Sequence, residues 1–223
     1  MKTRQFVSAL ATFILLLGAG IIINNPKAIA LPKHNIMEDN QIYDTATFGM
    51  GCFWCTEAFF TELKGVKSVT VGYSGGKGKN PTYDDVVFGN TGYAEVAEII
   101  YDPKLISFKD LLEVFWKVHD PTTLNRQGAD RGIQYRSVIF YHNPEQEHLA
   151  KEYKIKLNNS GAFSKPIITQ IEPFTAFYPA EKYHQNYYSD NKNAPYCTFV
   201  IKPKLNKFRK VFADKLKKNI SEK

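Results

Sequence analysis

From Asp44 onward, the apolar positions of this chain follow two periods in turn. Five short runs, Asp44–Gly49, Val66–Tyr73, Tyr93–Tyr101, Tyr135–His142 and Ile167–Phe174, have the length and residue types of strands. Four others, Thr56–Lys64, Ser107–Val118, Pro144–Asn159 and Lys204–Asn219, read as helices. The third helix has the clearest ends. Asn143 suits an N-cap, Pro144 and Glu145 suit a first turn, and Gly161 suits the exit. In the fourth, Leu205, Phe208, Phe212 and Leu216 fall near helical spacing among lysines, which predicts an amphipathic helix docked on the core with a solvated basic face. Thr175–Pro195 is rich in Tyr, Asn and Pro and reads as loop. Short strands interleaved with helices predict an α+β fold, a two-layer, ferredoxin-like sandwich with helices packed on a mixed or antiparallel sheet.

The amino terminus obeys a different pattern. Phe6 to Ile23 is a mainly apolar run behind Lys2 and Arg4, and Ala28-Ile29-Ala30 is a small-x-small cleavage site. This reads as a secretory signal peptide over 1–30, cleaved near Ala30, and the protein is expected to be exported. A retained membrane anchor is the alternative, because the apolar run approaches the length of a span. Residues 31–43 are polar and irregular and read as a linker, leaving 44–223 as a single catalytic domain of a size that supports one core. The net charge of +7 falls to +4 without the three basic residues of 1–30. That mild excess does not call for nucleic acid. No exposed apolar helix stripe calls for a second copy, so a monomer is expected. Three cysteines cannot form a fully paired framework, so one thiol or one exchanging pair remains in an environment where disulfides persist.

The run Gly51-Cys52-Phe53-Trp54-Cys55 carries the chemistry. It follows a strand and opens a helix, so Cys52 falls at a helix N-terminus, where free amides and the helix dipole favour a thiolate. A second thiol one turn on points to redox chemistry, and the two aromatics point to an apolar target. Glu95, on the strand Tyr93–Tyr101, shares a side with Ala97, Ile99 and Tyr101. A carboxyl on an apolar face has a raised pKa and makes a proton donor near neutral pH. The same periodicity places Glu98 with Val96 and Ile100 on the opposite side, so position alone does not single out Glu95. Asn125–Arg136 is a dense polar stretch before a strand, either a binding loop or an ion-paired turn. Gly72-Tyr73-Ser74-Gly75-Gly76-Lys77-Gly78 lacks the Gly-Lys-Ser/Thr ending of a phosphate loop and reads better as a tight, mobile active-site turn. A zinc site from Cys52, Cys55, Cys197 and His184 is disfavoured by the wide separation and the missing second pair.

These residues resemble a known family. Gly51-Cys52-Phe53-Trp54 is similar to the nucleophile motif of the A-type peptide methionine sulfoxide reductases. Gly72–Gly76, Asn80-Pro81-Thr82-Tyr83, Gly92-Tyr93-Ala94-Glu95-Val96, Asn125–Ser137 and Phe177-Tyr178-Pro179-Ala180-Glu181-Lys182-Tyr183-His184-Gln185 resemble further family motifs in the family's order. The resemblance implies thiol-dependent reduction of methionine S-sulfoxide, free or protein-bound, with no cofactor. It implies Cys52 as nucleophile, Glu95 as proton donor, Tyr83 and Tyr135 as hydrogen-bond donors to the sulfoxide oxygen, Phe53 and Trp54 as the wall for the S-methyl group, and Asp130 as an organiser of the polar network. It also implies recycling by thioredoxin or an exported thioredoxin-like reductant. Position 55 departs from the many members that carry glycine there. Cys55 is the favoured resolving thiol. Cys197, in or beside the carboxy-terminal loop, is left either as a second thiol that passes the disulfide outward or as a buried structural cysteine. Two rival readings of the Cys-x-x-Cys run are a thioredoxin-like disulfide oxidoreductase and a binding module with a static disulfide.

Overall fold

A computed structural model describes residues 36–38 and 41–218. The signal peptide read over 1–30 lies outside the described residues. In chain order the elements are β1 (Ile36–Glu38), β2 (Gln41–Met50), α1 (Phe53–Thr61), β3 (Val66–Ser74), α2 (Tyr83–Val87), β4 (Ala94–Tyr101), α3 (Phe108–Val118), β5 (Arg126–Gln127), β6 (Asp130–Arg131), β7 (Ser137–Tyr141), α4 (Pro144–Asn159), β8 (Gln170–Pro173), β9 (Phe177–Pro179), α5 (Tyr187–Asp190) and α6 (Lys202–Val211). The sheet runs β8-β7-β2-β4-β3-β9, with β1 paired to β2. The β7–β8 pair is parallel and the other pairs are antiparallel, so the sheet is mixed and the class is α+β.

Local chemistry explains the helix ends. Thr82 and Ser107 form capping boxes with Asp85 and Asp110. Asn143 accepts the Gln146 amide at 2.9 Å ahead of Pro144, and Gly161 leaves α4 at φ +70°, as the sequence predicts. α1 packs on β2, β3 and β4, with α6 behind it, and α3 packs on β2. The larger apolar core lies on this helix-bearing face, where Phe48, Phe59, Phe60, Ile99, Leu111 and Phe115 are buried. Ala94, Val96, Val138 and Phe140 form a smaller cluster under Phe174 and Phe177. Alternation along β4 therefore puts Glu95 with Ala97 and Ile99 on the helix face and sends Val96 to the other.

Four sequence expectations need correction. Part of the expected linker 31–43 is a hairpin, since Ile36–Glu38 pairs antiparallel with Gln41–Tyr43. The expected loop Thr175–Pro195 holds β9, a 3-10 turn over Lys182–His184 and α5, because its backbone pairs with β3 and its side chains pack on α1. The expected turn Gly72–Gly78 begins as strand, with Gly72, Tyr73 and Ser74 paired on both sides. The final helix is shorter and differently placed: a π turn over Cys197–Ile201 runs into α6, which ends at Val211. Phe212 leaves helical geometry, yet Leu205, Phe208, Phe212 and Leu216 are all buried as the stripe predicts. Leu216 instead bridges Leu63, and Arg209 donates to the Glu62 carboxylate at 2.9 Å.

Gly72 is where β9 meets β3. A Cβ there would lie 2.4 Å from the Tyr178 carbonyl oxygen and 2.6 Å from the Phe177 ring. Gly72→Ala is therefore expected to lose about 1–3 kcal/mol of stability. Urea unfolding checks this: an unchanged midpoint would show that β9 yields without loss.

Candidate active site

The end of β2 delivers the nucleophile. Gly51 turns the chain at φ +97°, where a Cβ would strike the Gln127 side chain at 2.6 Å. Cys52 then caps α1, and its carbonyl accepts the Cys55 amide at 3.1 Å. Glu95 reaches the same point from β4, the strand beside β2. Its carboxyl oxygen Oε2 accepts the Phe53 N–H at 3.0 Å, so a first-turn amide of α1 serves Glu95. Glu95 is only 2% exposed. Burial outweighs the Phe53 hydrogen bond and, with Asp130 and Cys55 nearby, pushes its pKa up to about 8. The carboxyl therefore keeps its proton at neutral pH.

The thiols sit in contrasting surroundings. All three cysteines are free and buried. Burial pushes the Cys52 thiol well up, and hydrogen bonding to Cys55 and the charge of Glu95 add to this. Cys55 is lowered, chiefly by the hydrogen bond from Cys52, with Lys204 and Tyr196 assisting. The two thiols are thus pushed in opposite directions, Cys52 up and Cys55 down. A helix N-terminus alone predicts the reverse. Cys52 is 8% exposed and stands beside Glu95, so burial opposes the thiolate that the helix start favours. Cys197 is fully buried in the π turn and not in a loop; burial raises its thiol, and it lies close enough to Cys55 to feel its charge.

The other expected residues converge on this pair. Tyr83 opens α2 and Tyr135 closes a 3-10 turn over Ile133–Tyr135. Both phenols are raised by burial, and both feel the charges of Glu95 and Cys52. Asp130, on β6, accepts the Tyr196 hydroxyl at 2.7 Å, and that hydroxyl stands 4.0 Å from the Cys55 sulfur. Phe53 is buried against Tyr73 and His184, with ring centroids 5.9 and 5.1 Å away. Trp54 is half-buried and stacks on Tyr187 at 3.6 Å and 7°. Its indole N–H donates to His184 Nδ1 at 3.2 Å.

Three site residues, Tyr196, Tyr187 and Glu57, carry no role from the sequence, and His184 entered only within a motif and as a disfavoured zinc ligand. Glu57 is buried and accepts the amides of Asn186 and Tyr187 at 2.7 and 3.2 Å. It thereby fixes the ring that covers Trp54. An acid in the largely apolar stretch Phe53–Phe60 was its available signal. Tyr196 was adjacent to Cys197, and His184 sat within a quoted motif, but nothing local tied either to α1.

A buried dithiol at a helix start, beside a carboxyl that stays protonated at neutral pH, defines a thiol reductase that can deliver a proton with its electrons. The chain belongs to the peptide methionine sulfoxide reductase family, A type, and the model of that family matches residues 44–216. It is 54% identical over 172 residues to a peptide methionine sulfoxide reductase MsrA from Sulfolobus acidocaldarius, covering 77% of this chain and 97% of that one. It is 54% identical to MsrA 1 of Rhodopirellula baltica, covering 78% and 90%. Among solved structures it is similar to reduced Mxr1 from Saccharomyces cerevisiae, with a TM-score of 0.65, 32% identity and 74% and 94% of the two chains covered. It is also similar to methionine sulfoxide reductase A of Corynebacterium diphtheriae, with a TM-score of 0.60, 36% identity and 67% and 75% covered. The chain is a methionine sulfoxide reductase acting through thiol chemistry.

Proposed function

We propose that the chain reduces the S epimer of methionine sulfoxide, free or within oxidised proteins, through a cycle on Cys52 and Cys55. The Cys52 sulfur attacks the sulfoxide sulfur while Glu95 gives its proton to the oxygen. The oxygen ends on Cys52 as a sulfenic acid, methionine leaves two electrons richer, and the proton released by Cys52 restores Glu95. The Cys55 thiol then attacks the Cys52 sulfur, an S–S bond forms and water departs. A thioredoxin-type dithiol takes up the disulfide by exchange and is itself oxidised. Tyr83 and Tyr135 donate to the sulfoxide oxygen, and their hydroxyls make no hydrogen bond to protein among the described residues. Phe53 and Trp54 line the place of the S-methyl group. Asp130 acts through Tyr196, and Cys197 follows Cys55 in the exchange.

The observation that carries this reading is the Glu95 carboxyl, buried and bonded to the amide that follows Cys52. A sulfoxide oxygen leaves only when protonated, and this acid still holds its proton at neutral pH. Family membership supports the substrate, its stereochemistry and the dithiol partner. The reading extends to a monomer, exported by the signal that ends at Ala30. The core is a ferredoxin-like two-layer sandwich. The order β2-α1-β3-β4-α3-β7, with the strands adjacent as β7-β2-β4-β3, supports it.

Single-turnover reduction without external reductant tests the cycle. The expected yield is one methionine per chain. Cys55→Ser should accumulate the sulfenic acid, while Cys197→Ser still closes a disulfide detectable by mass. The opposite pattern would move resolution to Cys197, and no methionine from the wild type would end the reading.

A further inference from the structure

His184 holds an unused donor at the centre of the site. It is 2% exposed, in the 3-10 turn Lys182–His184. An indole nitrogen can only donate, so the bond from Trp54 Nε1 to His184 Nδ1 makes Nδ1 the acceptor. The neutral ring must then carry its hydrogen on Nε2. That nitrogen is buried and has no hydrogen-bond partner. Four aromatic rings surround the imidazole, with centroids at 5.1 Å for Phe53, 5.6 Å for Trp54, 4.7 Å for Tyr83 and 4.2 Å for Tyr183. None of these residues is a hydrogen-bond partner of Nε2. A buried N–H without a partner is costly and uncommon in a native protein.

The surroundings indicate the acceptor. Phe53 and Trp54 are the wall for the S-methyl group, and Tyr83 belongs to the sulfoxide oxygen. That oxygen already has Glu95, Tyr83 and Tyr135 as donors, which fills its capacity. Tyr183 is 63% exposed while Phe53 is 1% exposed, so the imidazole lies between the buried floor and the outer rim. A methionine sulfoxide residue seated with its sulfur over Cys52 must leave the site by its main chain, across that rim. We propose that His184 determines specificity: its Nε2–H donates to a main-chain carbonyl oxygen of the substrate, and so favours methionine sulfoxide within a peptide over a bare methyl sulfoxide. This rests on the reductase reading above. His184 has two separable tasks, Nδ1 to fix the Trp54 indole and Nε2–H to grip the substrate.

Two variants separate the tasks. In His184→Asn the amide oxygen stands near Nδ1 and can still accept from Trp54, but the distal donor is gone. In His184→Gln the amide nitrogen stands near Nε2 and can still donate. kcat/KM is measured for N-acetyl-methionine sulfoxide N-methylamide and for dimethyl sulfoxide, which has the same S–O and S–CH3 groups and no carbonyl. The ratio of the two values is expected to fall about tenfold in His184→Asn, mostly through KM, and to stay within about twofold of wild type in His184→Gln. An unchanged ratio in His184→Asn overturns the proposal, whatever happens to the absolute rates. A second readout uses the intact protein: 15N NMR of His184 is expected to show the Nε2–H form and a shift of that proton on adding the product analogue N-acetyl-methionine N-methylamide. A proton on Nδ1, or no shift at saturation, overturns it. If wild type turns over neither sulfoxide, the reductase reading itself has failed, which is a distinct result.

Discussion

Glu95→Gln is expected to lower kcat/KM for methionine sulfoxide by about 10²–10⁴-fold at pH 7 and, at the same pH, to make the protein more stable. The two effects share one cause. Glu95 is buried, so its carboxyl titrates up to about 8 in the folded chain against an ordinary carboxylate value when unfolded. Between those values the unfolded chain has released a proton that the folded chain keeps. Stability is therefore full below the ordinary carboxylate range and falls as pH rises toward 8, by about 3 kcal/mol at pH 7. Glutamine has the same shape, accepts the Phe53 amide and does not titrate. Urea midpoints across pH 4–8 should flatten in the variant relative to wild type. The reaction follows the same proton, so kcat/KM of wild type should decline above about pH 8. A Glu95→Gln enzyme as active as wild type would remove the acid from the mechanism. If the variant is inactive on sulfoxides yet still exchanges disulfides, the thioredoxin-like alternative is also excluded as the main activity.

Cys52→Ser is expected to abolish methionine formation in a single turnover, a loss on the order of 10⁴-fold or more. A hydroxyl at this place is a far weaker nucleophile than sulfur and cannot form the later S–S bond. The resting protonation pattern adds a finer expectation. Burial raises Cys52, while the hydrogen bond from Cys52 lowers Cys55. Alkylation by a small haloacetamide near pH 7, followed by peptide mass, should therefore show a slow Cys52, because little thiolate is present there before substrate arrives. Cys52→Ala, which removes the donor to Cys55, should raise the Cys55 pKa. Methionine released by Cys52→Ser would transfer the nucleophile role to another thiol.

Much of the site was legible in the chain. Cys52 and Cys55 stand at a helix start because strand, glycine turn and apolar helix follow one another within about a dozen residues, and local backbone rules read such sequences well. Glu95 was placed on the correct face of β4 by alternation alone. The same alternation was silent on why Glu95 and not Glu98 meets the nucleophile. That depends on β4 lying beside β2, a pairing between segments about fifty residues apart. Tyr83, Tyr135 and Asp130 came through family motifs, and the fold brings them around Glu95 and the two thiols. His184, Tyr187, Tyr196 and Glu57 were not legible, because each acts through a contact between α1, where Glu57 lies, and the segment from His184 to Tyr196, most of which looked like loop. Its residues pack against aromatic side chains far away in sequence, which no local period records.

The sequence by itself determined most of the main strands and helices, the face on which Glu95 lies and the residue types that bear the candidate chemistry. Those depend on residue type and on spacing within one or two turns of backbone. Only the tertiary structure decided which groups carry protons. The helix start favours an anion at Cys52, but burial acts against it and pushes that thiol up. The same burial turns Glu95 into an acid at neutral pH and leaves the Nε2–H of His184 without a partner. Desolvation is a property of everything packed around a group, and that packing exists only once the distant parts of the chain have met.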